Sequence, residues 1–330
     1  MGRAATPTLF GFDFQANAAI VIMLKNIKAM KSIRLEGAED IDLVLSDDSR
    51  ILAQAKAIQR PNEDFNNVTT NLKKAIESLS DSNKKHSNIN QLIYITNTPK
   101  PFGLRDQSNL FAGLPSFRGF NDLPNELQNQ ITGVLTELNM TMDTSLLYVQ
   151  TLPFDTNDDD ERYKFVMYQI RDFLYSIQGL NIPPQELHRI WTVDLFRSGT
   201  IREQSVRLTK NDIIWPIIVL ATKYDNYDDY DLDEAQSQEV NRLYADIINT
   251  CSEKYEFVTK VLSAYNQFDT TSPGRERIRE FARQKVTDFY EIFDGQDVHQ
   301  DLRDVLLQII IRNILNKRFL INEIGKTAEL

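Results

Sequence analysis

A chain of 330 residues with 42% apolar and 25% charged residues can bury a sizeable core in one large or two ordinary domains. Its formal charge of −10 disfavours a protein that grips a polyanion unaided, and a single cysteine, Cys251, excludes an internal disulfide and a cysteine-based zinc site. His86, His188 and His299 lack metal-ligand spacing, so no zinc is expected.

The charge is unevenly spread. Residues 1–100 carry thirteen basic and eleven acidic groups, whereas 101–330 carry twenty-four and thirty-six. The acidic excess concentrates in Asp155–Glu161 and Asp225–Glu234, which lack calcium-loop spacing and read as solvated loops. Ala18–Leu24 and the Pro216-containing run Ile213–Ala221 are too short to span a membrane, so a soluble, cytoplasmic chain is expected.

In chain order, Phe10–Lys31 has the spacing of an amphipathic helix and Ser32–Glu36 is a short extended run. Two β-type runs follow, Asp40–Leu45 and Ile51–Ile58, split by the polar turn Ser46–Ser49. Period-2 alternation puts Ile41, Leu43 and Leu45 on one face and Asp40, Asp42 and Val44 on the other. Folding the hairpin about Asp48 sets Asp42 across from Gln54 and Asp40 across from Lys56. A carboxylate and an amide oxygen so placed make a hard-oxygen site suited to Mg²⁺, with an ammonium beside it to stabilise charge on a phosphate. The same residues would also make a plain cross-strand ion pair on a solvated sheet face. Phe65–Leu79 then reads as a helix and Leu92–Asn97 as a buried strand.

The order helix, three strands, helix, strand, with Asp42 followed by Gln54-Ala55-Lys56, resembles the PD-(D/E)xK nuclease superfamily in its Mrr-like Asp…QxK form. More narrowly, Gly11–Gln15 (GFDFQ), the acidic run Glu36–Leu43 and the QAK triplet resemble the double-stranded-DNA endonuclease domain of CD-NTase-associated, Lamassu-like and HerA-associated bacterial defence effectors. The resemblance covers about the first hundred residues. It implies a restriction-endonuclease-like α/β core, a Mg²⁺ or Mn²⁺ cofactor held by Asp42 and Gln54, and catalysis by Asp42, Gln54 and Lys56. Gln54 stands where the superfamily has a carboxylate, and Glu36 and Asp40 are placed to compensate, with Gln15 reaching the site from the first helix. It further implies double-stranded DNA as substrate, a role in antiphage defence, and an ATPase or sensor partner or a homo-oligomer that licenses cutting. A nuclease-fold scaffold that only binds a partner protein is the alternative.

Beyond the core, Pro99–Pro124 reads as a long connection in which Phe111, Phe117 and Phe120 interleave with Arg105 and Arg118. These aromatics would fold back onto the core or touch a nucleic-acid groove. Leu123–Leu138 reads as a helix and Leu146–Leu152 as a strand parallel to Leu92–Asn97. A boundary within 153–160 would divide a nuclease-like domain, 1–153, from a mainly helical assembly or regulatory region, 154–330. There, Arg162–Ile177, Lys210–Lys223, Glu234–Asn266, Arg275–Phe293 and Gln300–Ile321 have helical spacing. Trp191, Val193, Leu195 and Phe196 read as a short strand. Arg275, Arg277 and Arg279 crowd the start of a helix, where the macrodipole disfavours cations, and mark contact with an anion or acidic partner unless Glu276 and Glu280 pair with them.

Overall fold

The computed structural model describes residues 6–59, 67–103, 109–113, 115–154, 158–179, 181–222, 233–235, 238–240, 242–243, 254–293 and 298–329. Arg105, Cys251 and most of the acidic run 225–234 lie outside them. The chain divides into two units, 1–173 with 184–210, and 174–183 with 211–330. The sheet-bearing unit therefore extends past the 153–160 boundary read from the sequence.

The first unit is mixed α/β. Helix α1 (Thr6–Lys25) leads into β1 (Met30–Leu35), β2 (Ile41–Leu45) and β3 (Arg50–Lys56), followed by α2 (Val68–Lys85) and β4 (Ile89–Thr96). An edge strand β5 (Ser116–Gly119), helix α3 (Asn125–Glu137), β6 (Leu147–Thr151), and helices α4 (Asp159–Ser176) and α5 (Pro184–Thr200) come next, with β7 (Leu208–Thr209) last. The seven strands lie in the order β5-β6-β4-β3-β2-β1-β7. β1, β2 and β3 form an antiparallel meander, and the helical crossovers through α2 and α3 make β3, β4 and β6 parallel, the β4–β6 pairing as expected from the sequence.

Two expectations are corrected here. Residues 116–119 are not part of an irregular connection but pair antiparallel with β6 as β5. Trp191, Val193 and Leu195 belong to α5, not to a strand: Trp191 and Leu195, four residues apart, are fully buried while Val193 is exposed, a helical period. Of the aromatics between β4 and α3, Phe111 and Phe120 are core, whereas Phe117 stays exposed, stacked on Tyr148 with Lys25 over its ring.

One face of the sheet, carrying Leu52, Leu92 and Tyr94, is sealed by Leu72, Ala75, Ile76 and Leu79 of α2 and by Leu127, Ile131 and Leu135 of α3. Each such leucine or isoleucine contributes roughly 2 kcal/mol of burial. Even-numbered residues of β2 and β3 share that face, so Asp42 and Gln54 are not on a solvated surface but at the margin of a packed one. Helices α1 and α5 pack on β1 and on each other. Helix α1 is long and apolar enough to cross a membrane by length and composition, and eleven of its residues are buried in the fold. A polar link runs between α1 and α5: the His188 ring meets Asn17 Oδ1 at 2.8 Å, and burial pulls its pKa down to about 4.

The second unit is helical in its described residues. It contains α6 (Lys210–Thr222, whose first residue belongs to the sheet unit), α7 (Lys254–Gln267), α8 (Gly274–Gln284), a 3₁₀ stretch Val286–Phe293, α9 (Gln300–Asn316) and α10 (Arg318–Ala328). The single helix expected over Arg275–Phe293 is thus two pieces.

Candidate functional site

The β2–β3 hairpin sets the geometry. Its loop is shorter than four residues: Leu45 N–H donates to Ser49 O, Asp48 N–H donates to Leu45 O, and Asp48 takes the left-handed conformation at φ 61°. Aspartate tolerates that conformation because its short carboxylate can hydrogen-bond locally, and a left-handed third residue closes a three-residue hairpin loop. The fold axis therefore passes through Asp47 and not Asp48, and the register moves by two residues. Asp42 pairs with Leu52, not with Gln54, and Asp40, just before the strand, comes level with Gln54. A two-residue shift keeps every side chain on its predicted face while changing which carboxylate meets the QAK triplet.

The consequence is a cluster around Asp40. Its Oδ2 accepts the Gln54 amide and, at 2.9 Å, the Ala55 backbone N–H, and it stands 3.8 Å from Lys56 Nζ. Gln15, buried on α1, donates its amide to Glu36 Oε1 at 2.9 Å and to Asp40 O at 2.5 Å. Five of the residues singled out in the sequence, Gln15, Glu36, Asp40, Gln54 and Lys56, thus meet at one end of the hairpin. Burial raises the Asp40 pKa, and the nearby Glu36 charge adds to the rise, while Lys56 and the Ala55 and Gln54 hydrogen bonds oppose it. Negative charge here is incompletely compensated by the protein itself.

The turn that presents Glu36 and Asp40 is held from both sides. Glu36 sits in the left-handed region at φ 52°, which costs a non-glycine residue roughly 1–2 kcal/mol and persists only where the surroundings impose it. Glu36 N–H donates to Asp40 O at 3.1 Å. Glu39 points away and is buried against α2, accepting from Ser78 at 2.8 Å and Ser82 at 2.5 Å; burial pushes its pKa up. On the other side, Ala38 N–H donates to Asp42 Oδ2 at 3.3 Å, and Gly37 passes so close to Asp42 that a Cβ there would lie 2.8 Å from its Cβ and Oδ2.

Asp42 is occupied differently from the expectation. It is 1% exposed, and its Oδ2 is paired with Arg50 at 3.0 Å and Arg207 at 2.9 Å. Arg207 also donates to Asp42 O and to Ser32 Oγ. Arg34, opposite Asp42 on β1, is equally buried and donates to the carbonyls of Ile201, Glu203 and Val206. Asp42 and Arg34 together therefore fasten the segment before β7 to the sheet. Both guanidinium groups and the turn amide fall on one oxygen of Asp42, and the other oxygen is buried without a hydrogen-bond partner.

Arg50, Arg207, Gly37 and Asn97 were not singled out by the sequence. Asn97, fully buried, accepts from Ile58 N–H at 2.7 Å and donates to the carbonyls of Ile58 and Phe154, tying the chain after β3, β4 and β6 together. Gly37 had a signal, a glycine inside an acidic turn; Arg207, 165 residues from Asp42, had none. Of the arginine cluster, Arg275 and Arg279 line a cavity in the second unit, whereas Arg277 donates to the carbonyls of Tyr265 and Phe268 and lies over the Tyr265 ring.

Among the described residues no three His, Cys, Asp or Glu side chains are grouped to hold a metal ion. The Asp40 cluster offers two carboxylates and an amide, and Mg²⁺ commonly takes only one or two carboxylates and fills its remaining positions with water and substrate phosphate oxygens. That donor set fits such a cation. In comparisons with known proteins, no family model, no curated protein and no solved structure matches the chain.

Proposed function

We propose that the sheet unit is a metal-dependent endodeoxyribonuclease domain with a restriction-endonuclease-like core, acting on double-stranded DNA at the Asp40 cluster. The observation that carries this reading is the meeting of Glu36, Asp40, Gln54 and Lys56, with Gln15 behind them, on a helix, three strands, helix, strand framework. Asp40 and Glu36 would hold Mg²⁺ or Mn²⁺, with Gln54 contributing its amide oxygen after a rotation that exchanges its oxygen and nitrogen. When bound, the cation supplies charge neutralisation at a phosphate. Lys56 places an ammonium beside the carboxylate pair, where negative charge develops on the phosphoryl oxygens as water adds to phosphorus and the leaving oxygen departs. Ala55 N–H fixes the orientation of Asp40, and Gln15 fixes Glu36. Asp42 acts one step back, holding the turn that presents both carboxylates.

The scaffold alternative draws on one observation: Asp40 already has Gln54, Ala55 and Lys56 as partners, so the cluster is also satisfied without a cation. Plasmid cleavage in Mg²⁺ or Mn²⁺, with and without the products of neighbouring genes, separates the two. An ATPase or sensor that licenses cutting in a defence complex is part of the proposal, and cutting seen only in its presence supports it. Cutting that vanishes in Asp40→Asn, together with a cation-dependent rise in unfolding temperature that the same variant lacks, supports the nuclease. A wild type that cuts under some condition, alongside a folded Asp40→Asn variant that cuts equally well, places the chemistry elsewhere.

A further inference from the structure

The second unit contains a cavity of about 610 Å³ walled by α8, α9 and the start of α10. Helical spacing builds its charge. Arg275 and Arg279 stand four residues apart on α8, Arg312 and Asn316 four apart on α9, and Lys317 and Arg318 occupy the junction into α10. Five cations thus line it, with Arg318 also donating to Leu315 O and lying over the Phe319 ring, and none of the described lining residues is Asp or Glu, in a chain whose net charge is −10. Arg279 has Glu276 as a neighbour, but at 3.9 Å and in solvent that pair is weak. Arg277, on the same helix, turns to the carbonyls of Tyr265 and Phe268, so the fold spends one arginine of the cluster on structure and directs its neighbours into the cavity.

The backbone adds to this field. Helix α8 starts after Pro273 with no side-chain cap, and Gly274, in the left-handed region at φ 54°, lies in the cavity wall beside Arg275. The leading N–H groups and the positive end of the helix dipole therefore act in the same place as the guanidinium groups. Asn313 and Asn316 contribute amides, and Ile278 an apolar patch. The volume is that of a small-molecule site, which spans roughly 300–1,000 Å³, and a concave pocket differs from the open groove that tracks a nucleic-acid backbone. Four of the five cations are arginines, whose planar fork matches phosphate oxygens two at a time.

We infer that this cavity binds a small ligand carrying two or more phosphoryl groups, such as a nucleoside triphosphate. The inference is independent of the nuclease reading, because every residue in it belongs to the helical unit. Calorimetric titration of the full chain with ATP and with inorganic triphosphate tests it. Both should bind saturably at one site and weaken as salt rises. Arg275 and Arg279 are exposed, so Arg275→Gln/Arg279→Gln should fold normally, as checked by thermal unfolding, and should bind at least about tenfold more weakly. Lys31→Gln, which removes one exposed cation from the other unit, should bind as the wild type does; if the double variant unfolds, Arg275→Gln alone serves. Absence of binding by both probes at low salt overturns the proposal. So does an equal loss in Lys31→Gln, or displacement of triphosphate by a DNA duplex or an acidic peptide at lower concentration than by ATP.

Discussion

Asp40 and Asp42 are separated by one residue and face the same side of the same hairpin, yet their surroundings are opposite. Asp42 is sealed from solvent between two guanidinium groups and a backbone N–H, so its charge is spent inside the fold. Asp40 keeps about a fifth of its side chain exposed, shares its neighbourhood with Glu36, and has only the amide, the N–H and a longer-range ammonium to balance it. A buried carboxylate held by two guanidinium groups ties together the segments that carry them; one left incompletely matched at an opening is able to recruit a cation. On the proposed reading, the difference separates a positioning residue from a reacting one two positions along the same chain.

The largest effect expected from this contrast is on rate. Under conditions where the wild type cuts DNA, Lys56→Ala should slow cleavage by about 10²–10³ while leaving the unfolding midpoint nearly unchanged, since losing one preorganised electrostatic group typically costs that much. Unaltered cutting by this variant in a gel assay would break the assignment of chemistry to the Asp40 side.

Asp42→Ala should act on stability instead. Removing one partner of a buried ion pair leaves Arg50 and Arg207 facing an uncharged gap, at about 3 kcal/mol, which lowers the unfolding midpoint by several degrees. Thermal unfolding followed by circular dichroism measures this. An undiminished midpoint would mean that the two guanidinium groups find solvent without loss, and the contrast between the aspartates would shrink.

A smaller change probes the contact between turn and strand. In Gly37→Ala the added Cβ would come 2.8 Å from Asp42 Cβ and Oδ2, so the turn has to shift. Overpacking of this kind costs roughly 1–3 kcal/mol. The displacement should carry Glu36 and Asp40 with it, so activity and midpoint should fall together, whereas Lys56→Ala lowers activity alone.

The finest test is the pH dependence of Asp40. Its folded-state pKa is raised by burial, so the folded protein holds that proton more tightly than the unfolded chain. The resulting stabilisation is complete below the unfolded carboxylate value and is lost as pH rises through the raised one. Urea unfolding of wild type and Asp40→Asn should therefore show the wild type losing ground relative to the variant as pH climbs from about 3 across the acidic range. A constant difference would indicate that Asp40 titrates alike in both states.

Much of this was legible in the residues. The alternation in Asp40–Leu45 and Ile51–Ile58, the turn cluster and the apolar run Leu92–Asn97 placed the meander and the first crossover in order, and the parity of Asp40, Asp42 and Gln54 put them on one face. Gln15 and Glu36 were recognised as partners of the same cluster. Which aspartate meets Gln54 was not legible, because Ser46-Asp47-Asp48-Ser49 can close about Asp47 or Asp48 with every side chain on the same face. Only the left-handed conformation of Asp48, together with the inter-strand bonds, chooses between them.

By itself the sequence determined the things that depend on near neighbours: periods of two and of three or four, turn composition, the crowding of Arg275, Arg277 and Arg279, and the segregation of charge. Tertiary structure decided the things that depend on distant ones. Arg207 reaches Asp42 across 165 positions of chain, Arg277 turns from its neighbours to carbonyls at the end of α7, and Lys317 and Arg318 join Arg275 around one cavity. Local pattern reports which side of an element a residue occupies, since that follows from backbone geometry alone. Whether its charge is answered there depends on which remote segment packs opposite, and no spacing rule within a helix or strand carries that information.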